Sequence, residues 1–263
     1  MRDIDRALAR VFAHRGPVEP SAVPPSPHLT SRTSGQAGQA PHFIVGAGGL
    51  REPEFASLVW PSTIKALERE HGGRFERLAD VMIAARDRQR LKVLLFTSCH
   101  RAEGRTTLVL TLARALARRS GRTLLVDADL TGPMLARQLG LRPERGLDDV
   151  IEHGLALADA LIDAPDDHLS VLPLRAPVVR PRDFLASPAW SCVLARLRRD
   201  FDLVLLDGSP LFSGLNSTIL HRSVDAAILV HNRALTGQRA LLRAREVLNA
   251  GGVPLLGLAE TFV

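Results

Sequence analysis

The chain has 263 residues, 46% hydrophobic and 24% charged, a balance that supports a buried core and excludes wholesale disorder. Its net charge of +6 rests on arginine, because Lys65 and Lys92 are the only lysines, and such a surface favours weak attraction to acidic partners. Aromatics at 4% with no tyrosine argue against a single-stranded nucleic-acid platform, and two cysteines and nine histidines without ligand spacing argue against a disulfide framework or a transition-metal site.

Ile4, Leu8, Val11 and Phe12 recur at helical spacing and predict a short amphipathic helix over 1–15. Acids and arginines interrupt any signal-like apolar region there, and no apolar run reaches the ~20 residues of a membrane span, so a cytoplasmic location is expected. Residues 16–45 are rich in Pro, Ser and Gly and read as a disordered linker. The stretch "FIVGAGGL" at 43–50 fails as a dinucleotide fingerprint, because Arg51 stands where the third glycine belongs and Pro53 follows, which leaves a turn into a folded domain over 46–263. Residues 62–90 carry a helical period interrupted by Gly72-Gly73, predicting two helices or one broken helix.

From 91 to 263 strand and helix alternate. "KVLLFTS" reads as a buried strand and "TLLVDA", "LSVLPL", "FDLVLLD", "DAAILVH" and "PLLGLA" as further strands, with helices at 105–119, "PMLARQLG", "PAWSCVLARLRRD" and "GQRALLRAREVLNAG" between them. Continuous apolar strands alternating with helices predict an α/β fold, a mainly parallel sheet with helices on both faces in three layers. Cys99 and Cys192 are expected to be free, buried thiols.

The chemistry gathers where "TSCHRAEGRTT", residues 97–107, joins the first core strand to the first helix. A phosphate-binding loop uses main-chain amides and a helix N-terminus to hold the anion, a lysine to neutralise it and a Ser/Thr hydroxyl for Mg²⁺. Glu103, Gly104, Arg105, Thr106 and Thr107 preserve the second half of that pattern, with arginine at the lysine position. Taken alone, "EGRTT" fits a common structural turn equally well. Asp127 and Asp129 in "LLVDADLTGP" and Asp207 in "FDLVLLDGSP" end two further strands, so three carboxylates could meet at the same sheet edge, where magnesium and a general base belong.

The run from Lys92 to about Val230 resembles the capsular and exopolysaccharide type of bacterial tyrosine kinase, a relative of the MinD and ParA partition ATPases. "TSCHRAEGRTT" is similar to that family's TSxxPGEGKST loop, "LLVDADLTGP" to its DxDxR motif and "FDLVLLDGSP" to its Walker B strand; "GLDDVIEHG", "LSVLP" and "RPRDFLASPAW" also resemble family segments. The resemblance implies a P-loop NTPase fold that takes ATP or ADP. It implies that Glu103, Gly104, Arg105, Thr106 and Thr107 hold the phosphates, and that Thr106, Asp127 and Asp207 serve Mg²⁺. Asp127, Asp129 and Arg105 would take the catalytic roles. It further implies a membrane-embedded polysaccharide co-polymerase or adaptor as partner, a homo-oligomer, recruitment to the inner face of the membrane, and no specific nucleic acid.

The departures qualify the activity. Arg105 replaces the lysine, Arg101-Ala102 replace Pro-Gly, Thr131 stands at the motif arginine and Gly208-Ser209 at Thr-Pro, and "LLGLAETFV" lacks the asparagine of the family's last strand. With no tyrosine, the chain offers no acceptor for its own phosphorylation. Three readings follow: a kinase-like enzyme acting on another protein, a nucleotide-binding regulator of polysaccharide biosynthesis or export with impaired catalysis, and a partition or positioning ATPase. His100, at the place of the partition group's trans-acting lysine, counts against the last.

Overall fold

A computed structural model describes residues 54–119, 121–213 and 224–261. The helix expected over 1–15, the linker over 16–45 and the turn at 43–50 lie outside these residues. The described part is built on an eight-stranded sheet of order β1-β4-β5-β3-β6-β2-β7-β8. The strands are β1 (Glu54–Phe55), β2 (Val93–Ser98), β3 (Thr123–Ala128), β4 (Ile162–Ala164), β5 (Leu169–Leu172), β6 (Leu203–Gly208), β7 (Ala226–Asn232) and β8 (Leu255–Thr261).

All six expected strands are present, and they pair in parallel. The sequence reading missed β1 and β4, two and three residues long, and β4 runs antiparallel to β5. Segments this short carry no readable period.

Every residue of β2, β3 and β6 is buried, as strands covered on both faces require. Alternate residues divide between two cores. Val93 and Leu95 face Trp190, Val193, Leu194 and Leu248, whereas Leu94 and Phe96 face Ile64, Met82, Val109 and Leu112. The first core is closed by helices Pro188–Asp200 and Gln238–Ala250, and the second by α1 (Ser62–Gln89) and α2 (Arg105–Ala117). Helix α2 is buried nearly all round because α1 lies over it, fastened by Glu68 to Arg114 and Arg118 at 2.8 Å each.

Two expectations are corrected here. Helix α1 runs unbroken through Gly72-Gly73 over 28 residues. Its buried stripe of Ile64, Leu78, Ala79, Met82 and Ala85 outweighs the roughly 1 kcal/mol that each glycine costs an isolated helix. Of the thiols, Cys99 is buried but Cys192 is exposed, on the outer side of its helix.

A Cβ added at Gly72 would meet nothing within 4 Å. Gly72→Ala should therefore stabilise the protein by about 0.5–1 kcal/mol, read from urea denaturation. A loss of stability would show that the helix needs glycine's freedom there.

Candidate functional site

Strands β3, β6 and β2 are neighbours, and their carboxyl ends bring the candidate residues together. Asp127 and Asp207 are register partners across β3 and β6, and Asp207 pairs in register with Phe96, two residues before the end of β2. The loop 99–104 leaves β2 over this edge and enters α2. Ser98, Arg101, Gly104, Arg105, Thr106, Thr107, Asp129 and Met134 are among the residues lining a cavity of about 370 Å³.

The loop keeps its shape at a local cost. Ala102 stands at φ 62°, a left-handed conformation that a side chain makes unfavourable by roughly 1–2 kcal/mol. It occupies the position where the resemblance has glycine. Gly104, at φ 78°, is the N-cap of α2 and carries no side chain to cap the first-turn amides. Those amides therefore remain donors towards the cavity mouth.

The Glu103 side chain is already engaged. Its buried carboxylate accepts from the His100 amide at 2.7 Å, the Asn232 amide at 3.3 Å and the Thr236 hydroxyl, while its carbonyl accepts from the Thr261 hydroxyl at 2.6 Å. Glu103 thus staples the loop to the ends of β7 and β8. Beneath it, burial and then the Glu103 charge push the Cys99 thiol up to about 11, which leaves it an inert core group at neutral pH.

At the centre lies Arg105, 8% exposed. Its Nε donates to Asp207 Oδ1 at 2.7 Å, Nη2 to Asp129 Oδ2 at 2.9 Å and Nη1 to Ser98 Oγ at 3.4 Å. Burial opposes its charge, but Asp207 and then Asp129 outweigh that and hold the guanidinium above its ordinary range.

The remaining carboxylate oxygens are also engaged. Thr106 Oγ1 donates to Asp207 Oδ2 at 2.8 Å; Ser209 Oγ and Thr131 Oγ1 donate to Asp129 Oδ1 at 2.9 and 3.0 Å. Arg101 reaches across from the loop, with Nη2 to Thr131 Oγ1 at 2.8 Å and Nη1 3.5 Å from Asp129 Oδ2. Its guanidinium lies against Gly132, where an added Cβ would come within 2.7 Å of Nη1. A guanidinium thus stands beside Thr131, the position of the family's motif arginine, but it is supplied by the loop.

Asp127 differs from the other two acids. Its Oδ2 accepts from the Met134 and Leu135 amides at 3.0 Å each and its Oδ1 from the Asp129 amide at 3.2 Å, so it pins the turn after β3. Burial first, and then the neighbouring Asp207, raise its pKa to about 7.

These donors decide how well a divalent ion suits the site. All four oxygens of Asp129 and Asp207 already accept hydrogen bonds, and a fixed cation sits between the two carboxylates. No group of three or more His, Cys, Asp or Glu residues suited to holding a metal forms among the described residues. The arrangement as it stands does not fit Mg²⁺.

The structure therefore brings Arg105, Thr106, Asp129 and Asp207 into direct contact, with Asp127 bonded to the Asp129 amide. Glu103 lines the cavity too, but its carboxylate is engaged by His100, Asn232 and Thr236. Sequence reasoning passed over Ser98, Ser209, the Glu103 carboxylate and the reach of Arg101. Ser98 and Ser209 stood inside the quoted motifs; the partners of Glu103, up to 158 residues away, carried no local signal.

No family model matches the chain. The tyrosine-protein kinase CpsD of Streptococcus pneumoniae is 28% identical over 170 residues, covering 64% of this chain and 75% of that protein. Among solved structures, the VpsO kinase domain matches with a TM-score of 0.66 at 25% identity, over 75% of this chain and 98% of that one. MinD from Pyrococcus horikoshii, complexed with Mg-ADP, matches at 0.54 with 26% identity, over 64% and 68% of the two chains. Homologues of the chain are thus bacterial tyrosine kinases of the CpsD, CapB and YwqD kind, its structural neighbours include tyrosine-kinase domains and MinD-like ATPases, and its fold is the α/β P-loop NTPase fold.

Two outcomes follow from the geometry. Arg105→Ala leaves two buried carboxylates without their cation and should cost about 3–5 kcal/mol in urea denaturation; a cost under about 1 kcal/mol would mean that the cluster is solvated. For Asp127, a folded-state pKa near 7 against 3.8 unfolded means that the native state keeps a proton the unfolded chain has released. Its contribution to stability therefore falls as pH rises from about 4 to about 7. Between about pH 5 and about pH 8 the unaltered chain should lose more stability than Asp127→Asn. Equal pH dependence of the two would count against a protonated Asp127.

Proposed function

We propose that this chain is a divergent capsular-kinase-like protein that binds ATP or ADP weakly and regulates polysaccharide biosynthesis or export, with impaired phosphoryl transfer. The observation that carries it is the Arg105 guanidinium bound between Asp129 and Asp207 beneath a loop that keeps a left-handed turn at Ala102, a position without glycine. Strain held at a loop of this kind is common where a ligand must be met.

Phosphates would lie on the first-turn amides of α2, with Arg101 and Arg105 facing them and the Thr106–Thr107 turn closing the cavity. The same contacts that build the pocket hinder turnover. A lysine at position 105 would be a compact charge free to follow the transferring group, whereas the planar guanidinium is held by two acids. Loss of such a clamp costs on the order of 10²–10³ in rate. Asp129 accepts from Arg105, Ser209 and Thr131, and Asp127 from three main-chain amides, so neither is free to take a proton from an acceptor hydroxyl.

An acceptor would have to come from another protein, as the chain has no tyrosine. Among the described residues no helix is long and apolar enough to cross a membrane. In this reading the partner at the membrane is a membrane-embedded co-polymerase or adaptor, with other copies of the chain as further partners. The partition-type reading has the basic charge and the MinD likeness behind it, and no feature of the site favours it over the kinase-like one.

Mass analysis of small molecules released from purified protein, together with calorimetric titration of ATP, tests the reading. Weak binding of ATP or ADP is expected, and Arg105→Lys should raise affinity and phosphate release in the presence of Mg²⁺. No nucleotide by either method, and an unchanged baseline in the variant, would remove it.

A further inference from the structure

We propose that Arg105 takes the place of the divalent cation, so that the site binds a metal-free nucleoside diphosphate. The proposal rests on the nucleotide-binding reading and concerns how the phosphates are neutralised. In phosphate-loop proteins a divalent ion links the loop hydroxyl and the strand-end acids to the phosphate oxygens. Here the guanidinium makes the protein half of that link, at 2.7 Å to Asp207 and 2.9 Å to Asp129, while the Thr106 hydroxyl is given to Asp207 Oδ2 at 2.8 Å.

The other half follows from donor arithmetic. A guanidinium has five N–H donors. Asp207, Asp129 and the longer contact to Ser98 take three, in a side chain that lines the same cavity as Gly104, Thr106 and Thr107. Two remain for a phosphate oxygen.

Charge limits the ligand further. A phosphate lysine and a divalent ion together bring three positive charges, whereas Arg105 and the half-exposed Arg101 bring two. The shortfall favours a diphosphate over a triphosphate. A divalent ion entering between the acids would meet a fixed like charge in a partly buried site, where repulsion is weakly screened.

The test uses the full chain and two readouts. In calorimetric titration, ADP should bind in the presence of EDTA, and excess Mg²⁺, which draws ADP into its own complex, should leave that affinity unchanged or weaken it. In thermal melts without nucleotide, Mg²⁺ should leave the unaltered chain unmoved but raise Arg105→Ala, whose acids lack a cation, by a few degrees. Tightening of ADP binding by about tenfold or more with Mg²⁺ in the unaltered chain would overturn the proposal and leave the nucleotide-binding reading standing. ADP binding under neither condition would remove both. Should Arg105→Ala fail to fold, Arg105→Lys decides: its ammonium is free to leave the acids for the phosphates, so its ADP affinity should become Mg²⁺-dependent by about tenfold, and an affinity indifferent to Mg²⁺ would overturn the proposal.

Discussion

Two carboxylates at the ends of adjacent elements, 2% and 1% exposed, need a cation between them if a protein interior is to hold their charge. In this chain that cation is covalent. Arg105 begins α2, directly over the edge where Asp129 and Asp207 emerge, and its fork is wide enough to donate to both at once. Ser209, Thr131 and Thr106 fill the remaining carboxylate oxygens, so the cluster is complete with no outside component. The consequence for function is direct: a group that elsewhere is free to move with a phosphoryl group serves here as part of the foundation.

The loop above the cluster is held from both sides. Glu103 ties it to the ends of β7 and β8, while Arg101 lies against Gly132 and reaches Thr131 beyond β3. Between these anchors Ala102 is forced through a left-handed turn. That a side chain is tolerated there indicates how firmly the flanking residues determine the path. The donors needed for an anion persist because main-chain amides do not depend on which side chains were exchanged. On the function proposed above, affinity for phosphate would rest on main-chain geometry, and its transfer on side chains that here are bonded to one another.

Much of this was legible in the residues. Six strands, their alternation with helices and the three acids at two strand ends follow from apolar runs and turn residues, which are local signals. The direction of the Arg105 side chain was not, because it depends on the register of Asp207 against β2, a relation between residues about a hundred positions apart. Nor was the substitution of Arg101 for a motif arginine, since a loop residue and Thr131 meet only after β3 is placed. The continuity of α1 escaped for a similar reason: glycine weakens a helix locally, and the packing of Met82 and Ile64 that restores it is tertiary. The raised pKa of Asp127 comes first from its complete burial, which no pattern within "VDAD" displays.

The most direct test of the claim that a guanidinium is the permanent cation of this site is the Arg105 Nε–H signal in ¹⁵N-arginine-labelled protein, assigned by its loss in Arg105→Lys. The account predicts a signal protected from solvent exchange, shifted by its bond to a carboxylate and indifferent to added Mg²⁺. Exchange as fast as that of exposed arginines, or a shift that follows Mg²⁺ concentration, would show that the two acids are not held by Arg105.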